Sequence, residues 1–338
     1  MTTPDTITLA HGNGGRRMRE LIDAVFVRHL GNPCLAPLAD AAWLPDRLAD
    51  DEALAVSSDG VTVQPLCFPG GDIGRLAVHG TVNDLAVAGA TARYLTVNAF
   101  LEEGLSLATL ERVVASLAEA ARACGVQVAA GDTKVLPRGL CDGLYFGVSG
   151  IGIRPRHLAL GPSAIRAGDA VLVSGPVGDH GVAVMLAREA FGLSGDIESD
   201  SASVLPLTRT LLPLAGLRFM RDPTRGGLAT VLHEVRRATG LGIRLEEERI
   251  PIRGGVRSVC EMLGFDPLYL PCEGRVVAIV AAEAAAEALD RWRALPKGRS
   301  AARIGTLVAD HDRVLLVNDW GGERPLLELE DDPLPRIC

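Results

Sequence analysis

VQVAAGDTK, residues 126–134, begins with five residues, 126–130, that read as a buried strand, then turns polar at Gly131-Asp132-Thr133-Lys134. Upstream, residues 107–123 repeat apolar side chains at helical spacing. Downstream, 143–153 reads as a further strand. A strand run between a helix and another strand points to layered α/β architecture, and the alternation continues outward. Residues 53–57 and 91–100 are predicted strands and 73–88 a helix. After a turn-rich stretch at 154–168 comes a strand at 170–174, then helices at 182–191, 208–217 and 228–238. A strand at 276–280, a helix at 283–295 and a strand at 313–317 complete the pattern. The expected organisation is two lobes, 1–155 and 156–322. A Pro-rich, acidic segment, 323–338, follows as an edge and then a free, flexible tail.

Bulk properties restrict the function classes. With 338 residues the chain accommodates two cores. A net charge of −8 argues against general nucleic-acid binding. No apolar run reaches membrane-spanning length, and the first residues lack the basic-then-apolar pattern of a secretory signal. The seven cysteines, at 34, 67, 124, 141, 260, 272 and 338, include no CxxC pair and are odd in number. Free thiols in a reducing cytoplasm are therefore expected, and zinc is disfavoured.

Chemistry-bearing residues gather in Gly-rich and Asp-rich stretches. There is no GxxxxGK[ST] and no GxGxxG after a strand. Instead HGNGG (11–15), PGGDIG (69–74) and DPTRGG (222–227) each precede a predicted helix. Glycines admit backbone N–H groups to an anion and the helix start adds a positive dipole, so the three turns together suggest a polyphosphate. Candidate contacts are His11, Asn13, Gly14, Gly15, Gly70, Gly71, Asp222, Thr224, Gly226 and Gly227. Asp40, Asp59, Asp84 and Asp132 are hard-oxygen donors with apolar neighbours, which suits Mg²⁺ better than zinc or iron. Of the 34 basic residues only Lys134 and Lys297 are lysines. A compact ammonium at Lys134, where arginine is the default, points to a chemical need; a structural ion pair is the alternative. His180 and His233 read as structural histidines, and Cys272 as a small core residue.

Cys338 is the last residue of the sequence, after Asp332-Pro333-Leu334-Pro335-Arg336-Ile337. Two prolines favour an extended arm. Prenylation is excluded, because that cysteine lies fourth from the end. Extended, the 13 residues 326–338 span roughly 40 Å at ~3.3 Å each. The placement is either an accident or a reactive group on a tether.

Several of these stretches match one known family. HGNGG, SSDGVTVQPLCFPGGDIG (57–74), GTVNDLAVAGA (80–90), GDTKVLPRG (131–139), SGPVGDHG (174–181), DPTRGGL (222–228), CEG (272–274) and PRIC (335–338) resemble the HypE hydrogenase maturation factors. That family sits within the superfamily of aminoimidazole ribonucleotide synthetase and selenophosphate synthetase. PRIC is the mark of HypE in particular. The resemblance implies a two-domain PurM-like ATP-binding fold, with an N-terminal domain that forms a β-barrel across a homodimer and a C-terminal α/β sandwich. It also implies ATP and Mg²⁺ in a groove between the domains. The implied reaction is ATP-dependent dehydration of an S-carboxamide on Cys338 to a thiocyanate. HypF would place the carbamoyl group, and the HypC–HypD complex would receive the cyanide for [NiFe] hydrogenase iron. Lys134 would then neutralise charge on the transferring phosphoryl or the carboxamide oxygen. Glu273, in Pro271-Cys272-Glu273-Gly274, would accept an amide proton, with a turn-stabilising carboxylate as the alternative reading. Two other functions stay open. One is another ATP-dependent synthetase of the superfamily, although HGNGG lacks the nucleophilic cysteine a selenophosphate synthetase wants. The other is a non-catalytic carrier, against which the aspartates and Lys134 argue.

Overall fold

A computed structural model describes residues 6–13, 15–38, 41–42, 44–188, 195–330 and 337. The chain divides into two compact units, one of residues 1–85 and 90–156, the other of 86–89 and 157–337.

In the first unit α1 (Arg16–Leu21) continues without a break through a π-helical stretch, Ile22–Val27, into α2 (Arg28–Leu30). The strands are β1 (Glu52–Val61), β2 (Cys67–Phe68), β3 (Gly71–Asp72), β4 (Thr91–Glu102), β5 (Gln127–Leu136) and β6 (Leu144–Pro155). The helices between them are α3 (Ile73–Val87) and α4 (Leu107–Cys124). The main sheet runs β1-β6-β4-β5. Only β4 and β5 are parallel, as the crossover through α4 requires. The amphipathic α4 buries Leu110, Val113, Val114 and Leu117 and ends at Gly125, whose φ of 70° suits a left-handed cap. Contact between α3 and α4 is set by Gly74, where a Cβ would sit 2.2 Å from the Val113 carbonyl oxygen.

The expected strand at 126–130 is longer than its apolar run. β5 continues through Gly131-Asp132-Thr133-Lys134 to Leu136, with Asp132 opposite Asn98 and Lys134 opposite Phe100 of β4. GDTK is thus strand and not loop, because pairing to β4 supplies the backbone partners that its polar side chains do not predict. Within the chain the four strands form an open sheet with β1 at one edge. Leu54 and Val56 of β1 are 59% and 69% exposed.

The second unit holds β7 (Ala170–Val173), α5 (Asp179–Ala187), α6 (Leu205–Leu211), β8 (Leu217–Arg221), α7 (Gly227–Thr239) and β9 (Gly242–Glu246). It continues with α8 (Gly254–Leu263), β10 (Val277–Val280), α9 (Ala285–Arg293), β11 (Ala302–Val308), β12 (Val314–Val317) and β13 (Glu323–Pro325). The sheet order is β13-β12-β9-β11-β7-β10-β8. The central strands AVLV and VAIV are buried on both faces. Val171, Val173, Val277 and Ile279 pack with Leu228, Leu232 and Val235 of α7. The alternate residues Leu172, Ala278 and Val280 pack with Leu207, Leu211, Ala288 and Trp292 of α6 and α9. Period-two alternation into two helical layers makes this unit the expected sandwich. Trp292 is fully buried, and its indole N–H donates to the Leu207 carbonyl at 3.0 Å.

The edge expected from residue 323 is present as β13, and where a free tail is expected after it, residues 326 and 337 are buried. Glu323–Pro325 pairs with β12, and Leu326 is buried with its carbonyl oxygen 3.0 Å from His233 Nε2. The Tyr269 hydroxyl donates to the Leu327 carbonyl at 2.7 Å. Ile337 is 2% exposed.

Candidate functional site

Two periodicities meet to form the first cluster. Ser57 and Asp59 lie two apart on β1 and share a face; Thr81 and Asp84 lie three apart on α3 and share a stripe. The Ser57 hydroxyl donates to Asp84 Oδ2 at 2.5 Å, and the Thr81 hydroxyl donates to Asp59 Oδ2 at 2.6 Å. Asp59 lies within β1, paired opposite Val148. Burial first, and then the charge of Asp84, push the Asp59 carboxyl up. Two acids and two hydroxyls make a hard-oxygen donor set with surplus negative charge, which fits Mg²⁺ bound by two carboxylates and completed by phosphate oxygens. Among the described residues no three His, Cys, Asp or Glu side chains form a cage of their own.

Asp132 pairs with Lys134. The two alternate with Thr133 on the open face of β5, and Lys134 Nζ lies 2.8 Å from Asp132 Oδ2. The lysine holds the Asp132 carboxyl below the usual carboxylate range, aided by the Thr133 N–H. Beside them is a cavity of about 490 Å³, lined by Arg19, Phe26, Cys34, Val128, Gly131 and Asp132 among others. Its volume and mixed lining are in the range of small-ligand sites.

The Gly-rich turns differ in what they do. In HGNGG, Thr8 N–H donates to His11 Nδ1 at 3.0 Å, closing a 3₁₀ turn, Leu9–Gly12. Gly12 lies where a Cβ would be 2.8 Å from that of Val135. Asn13 and Gly15 are exposed, and nothing stands within 4 Å of a Cβ placed on Gly15. In PGGDIG, Gly70 turns the β2–β3 hairpin with a φ of 87°, Gly71 packs against Phe68, and Asp72 accepts the Arg75 N–H at 3.0 Å. In DPTRGG, Asp222 is buried and Gly227 N–H donates to the Thr224 carbonyl at 2.8 Å. Gly226 and Gly227 have φ of 71° and 59°, and a Cβ on Gly227 would meet the Leu270 carbonyl oxygen at 2.5 Å. Gly14, Asp40 and Cys338 lie outside the described residues.

Glu273 is 3% exposed and held by its backbone. Its N–H and that of Gly274 donate to the two oxygens of Asp200 at 3.0 and 3.2 Å, and the Ala202 N–H donates to the Glu273 carbonyl at 3.2 Å. The sequence reading missed what anchors this loop. Arg275 Nε lies 3.2 Å from Asp200 Oδ2 and donates to the Pro176 carbonyl, while another Arg275 nitrogen reaches Asp179 Oδ2 at 3.2 Å. Burial, then the Asp200 charge, push Asp179 up to about 6 despite Arg253 and Arg275. GPVGDHG therefore places its own carboxylate at the start of α5. Cys272, fully buried, takes the Gly178 N–H on Sγ at 3.2 Å, and burial pushes its thiol well up, which supports a structural role.

Both histidines that the sequence reads as structural have partners. Besides the His233 contact, His180 is 0% exposed, with Nδ1 2.7 Å from Ser199 Oγ and Nε2 2.7 Å from the Ile337 carbonyl oxygen. Only long-range folding brings residue 337 to residue 180, and no local signal in the sequence announces it.

The two units and their sheets define a class. The N-terminal domain of AIR synthase related proteins matches residues 38–154 and the C-terminal domain of that family matches 166–318. The finer assignment comes from whole-chain relatives. The carbamoyl dehydratase HypE of Bradyrhizobium diazoefficiens is 46% identical over 98% of this chain and 96% of its own. A crystal structure of the hydrogenase maturation protein HypE in complex with ATP is 44% identical, with a TM-score of 0.92 over 98% of this chain and 100% of that one. HypE in a HypE–HypF complex is 39% identical, with a TM-score of 0.78 over 93% and 99%. The chain belongs to the HypE family of hydrogenase maturation proteins.

Proposed function

We propose that the chain is an ATP-dependent carbamoyl dehydratase acting on its own Cys338. A carboxamide oxygen leaves poorly. Attack of that oxygen on the γ-phosphorus of ATP breaks the bond to the bridging oxygen and releases ADP. Glu273 takes one proton from the nitrogen. Loss of the second N–H proton with cleavage of the C–O bond then releases phosphate and leaves S–C≡N. Lys134 offers a positive charge to the transferring group, with Asp132 holding its ammonium in place. Asp59 and Asp84 would hold Mg²⁺, which supplies charge neutralisation at the phosphates. The 490 Å³ cavity beside Asp132 is of a size for a nucleoside.

The observation that carries this reading is the seat of Ile337. The residue before Cys338 is buried in the same unit that presents Glu273, where an idle tail would lie in solvent. HypF is the proposed carbamoyl donor and HypC–HypD the cyanide acceptor, in the cytoplasm. A second copy of the chain is the proposed cover for Leu54 and Val56 on edge strand β1, closing the open sheet into a barrel.

Intact-mass measurement after mixing with HypF, carbamoyl phosphate and ATP tests the reaction. A carbamoyl gain followed by loss of one water is expected, with neither step in Cys338→Ala. A stable carbamoyl adduct that keeps its water in the presence of ATP would overturn the dehydratase reading.

A further inference from the structure

His180 is the second residue of α5, two positions after the capping Gly178, and its ring has no exposed surface. Its Nε2 faces the Ile337 carbonyl oxygen at 2.7 Å. A carbonyl can only accept, so Nε2 carries the proton. Burial lowers the imidazole pKa, so the ring is neutral at physiological pH. Nδ1 is then an acceptor, and the Ser199 hydroxyl donates to it at 2.7 Å. Ser199 Oγ in turn accepts the Ser201 N–H at 3.0 Å. Between these serines, Asp200 takes the N–H groups of Glu273 and Gly274. One short segment, 199–201, thus has one end on the imidazole that grips residue 337 and its middle on the loop that carries Glu273.

We propose that His180 is a positioning residue, a latch that seats the Cys338 arm through the Ile337 carbonyl, with Ser199 fixing its tautomer. Segment 199–201 registers the seated arm to the Glu273 loop. Consecutive Cα atoms are about 3.8 Å apart, so seating residue 337 confines the pivot of the thiol-bearing residue. Confinement of that kind is what raises the effective concentration of a tethered reactant. The buried Ile337 side chain adds an apolar anchor to the polar one. This latch rests on the reading of Cys338 as the carboxamide carrier.

Two near-isosteric substitutions separate a latch from mere core packing. In His180→Gln the amide nitrogen reaches the place of Nε2 and keeps a donor for the Ile337 carbonyl. His180→Asn keeps polar atoms near the place of Nδ1 and loses that donor. The full-length variants are alkylated with iodoacetamide, and each cysteine is followed by peptide mass spectrometry. The latch predicts that Asn raises the Cys338 rate by about tenfold or more. Gln stays within about threefold of the wild type. Buried Cys260 and Cys272 stay protected in both, reporting an intact fold. In the carbamoylated proteins, water loss with ATP is slowed in Asn and rescued in Gln. If Asn does not fold, Ile337→Asp unseats the arm from the other side and carries the same expectation. Equal Cys338 rates in Asn and Gln, or an unchanged rate in Ile337→Asp, would overturn the latch. If the wild type is carbamoylated and never loses water, the dehydratase reading fails, while the alkylation rates still judge the seating of the arm.

Discussion

Replacing Lys134 by alanine separates an architectural ion pair from a catalytic charge, because the structure assigns the two roles very different magnitudes. Lys134 Nζ and Asp132 Oδ2 are 2.8 Å apart, but the side chains are 58% and 52% exposed. An exposed pair of this kind contributes about 0–1 kcal/mol, since water screens it and two long side chains lose freedom. Lys134→Ala should therefore lower Tm by no more than about 4 °C. No partner in the core is stranded, because Asp132 is left facing solvent. A preorganised charge aimed at a developing anion is worth about 2.7–4 kcal/mol in a transition state, or 10²–10³ in rate. The assay is ADP release by fully carbamoylated protein at saturating ATP, with a thermal melt of the same sample. The expected outcome is a loss of at least about a hundredfold in rate with a nearly unchanged melt. A rate within about threefold of wild type would refute the role given to Lys134. So would a collapse of Tm that accounts for the lost activity, since the pair would then be holding the fold.

The glycines of the Gly-rich turns should part company under substitution. Gly227→Ala should destabilise by roughly 1–3 kcal/mol, because φ is 59° and the new Cβ meets the Leu270 carbonyl oxygen at 2.5 Å. Gly15→Ala, with a φ of −85° and open space around it, should leave the melt within about 0.5 kcal/mol, so any loss of ATP affinity measured there reports on binding. A second test concerns Asp179, whose carboxyl is raised from 3.8 to about 6 by burial and by Asp200. A raised carboxyl holds its proton more tightly folded than unfolded. Its stabilising contribution is therefore present below about pH 4 and lost as pH rises through about 6. Denaturation midpoints from pH 4 to 7 should show Asp179→Asn gaining on the wild type by up to about 3 kcal/mol across that window. The opposing pull of Arg253 and Arg275 is already contained in the value of about 6, so losing the anion shifts the variant by an amount that does not depend on pH. A gap between variant and wild type that does not change with pH would contradict it.

Local chemistry made much of this protein readable from its sequence. Amphipathic spacing marked α4 as it stands to within a residue, and fully apolar runs marked β7 and β10. The motif-level resemblance carried the two-domain class and the family. Where apolar pattern was weak, the reading stopped short. It did not place β8, β9, β11 or α8, whose residues mix charge with core side chains. It ended β5 at the last apolar residue, because polar GDTK joins the sheet only through its register with β4. Likewise, Asp59 and Asp84 were visible as acids, but only the packing of α3 on β1 brings them together through Thr81 and Ser57. The ion pair of Asp132 with Lys134 likewise follows from their alternation on β5, a strand the apolar pattern ended too early to contain them. The clearest limit is the arm. Proline content and a closing thiol spoke for a free tail, yet residue 337 is seated on an imidazole 157 positions earlier in the chain. Local composition reports what a segment prefers on its own. Which buried donor awaits its carbonyl is settled only when distant strands and helices close around it.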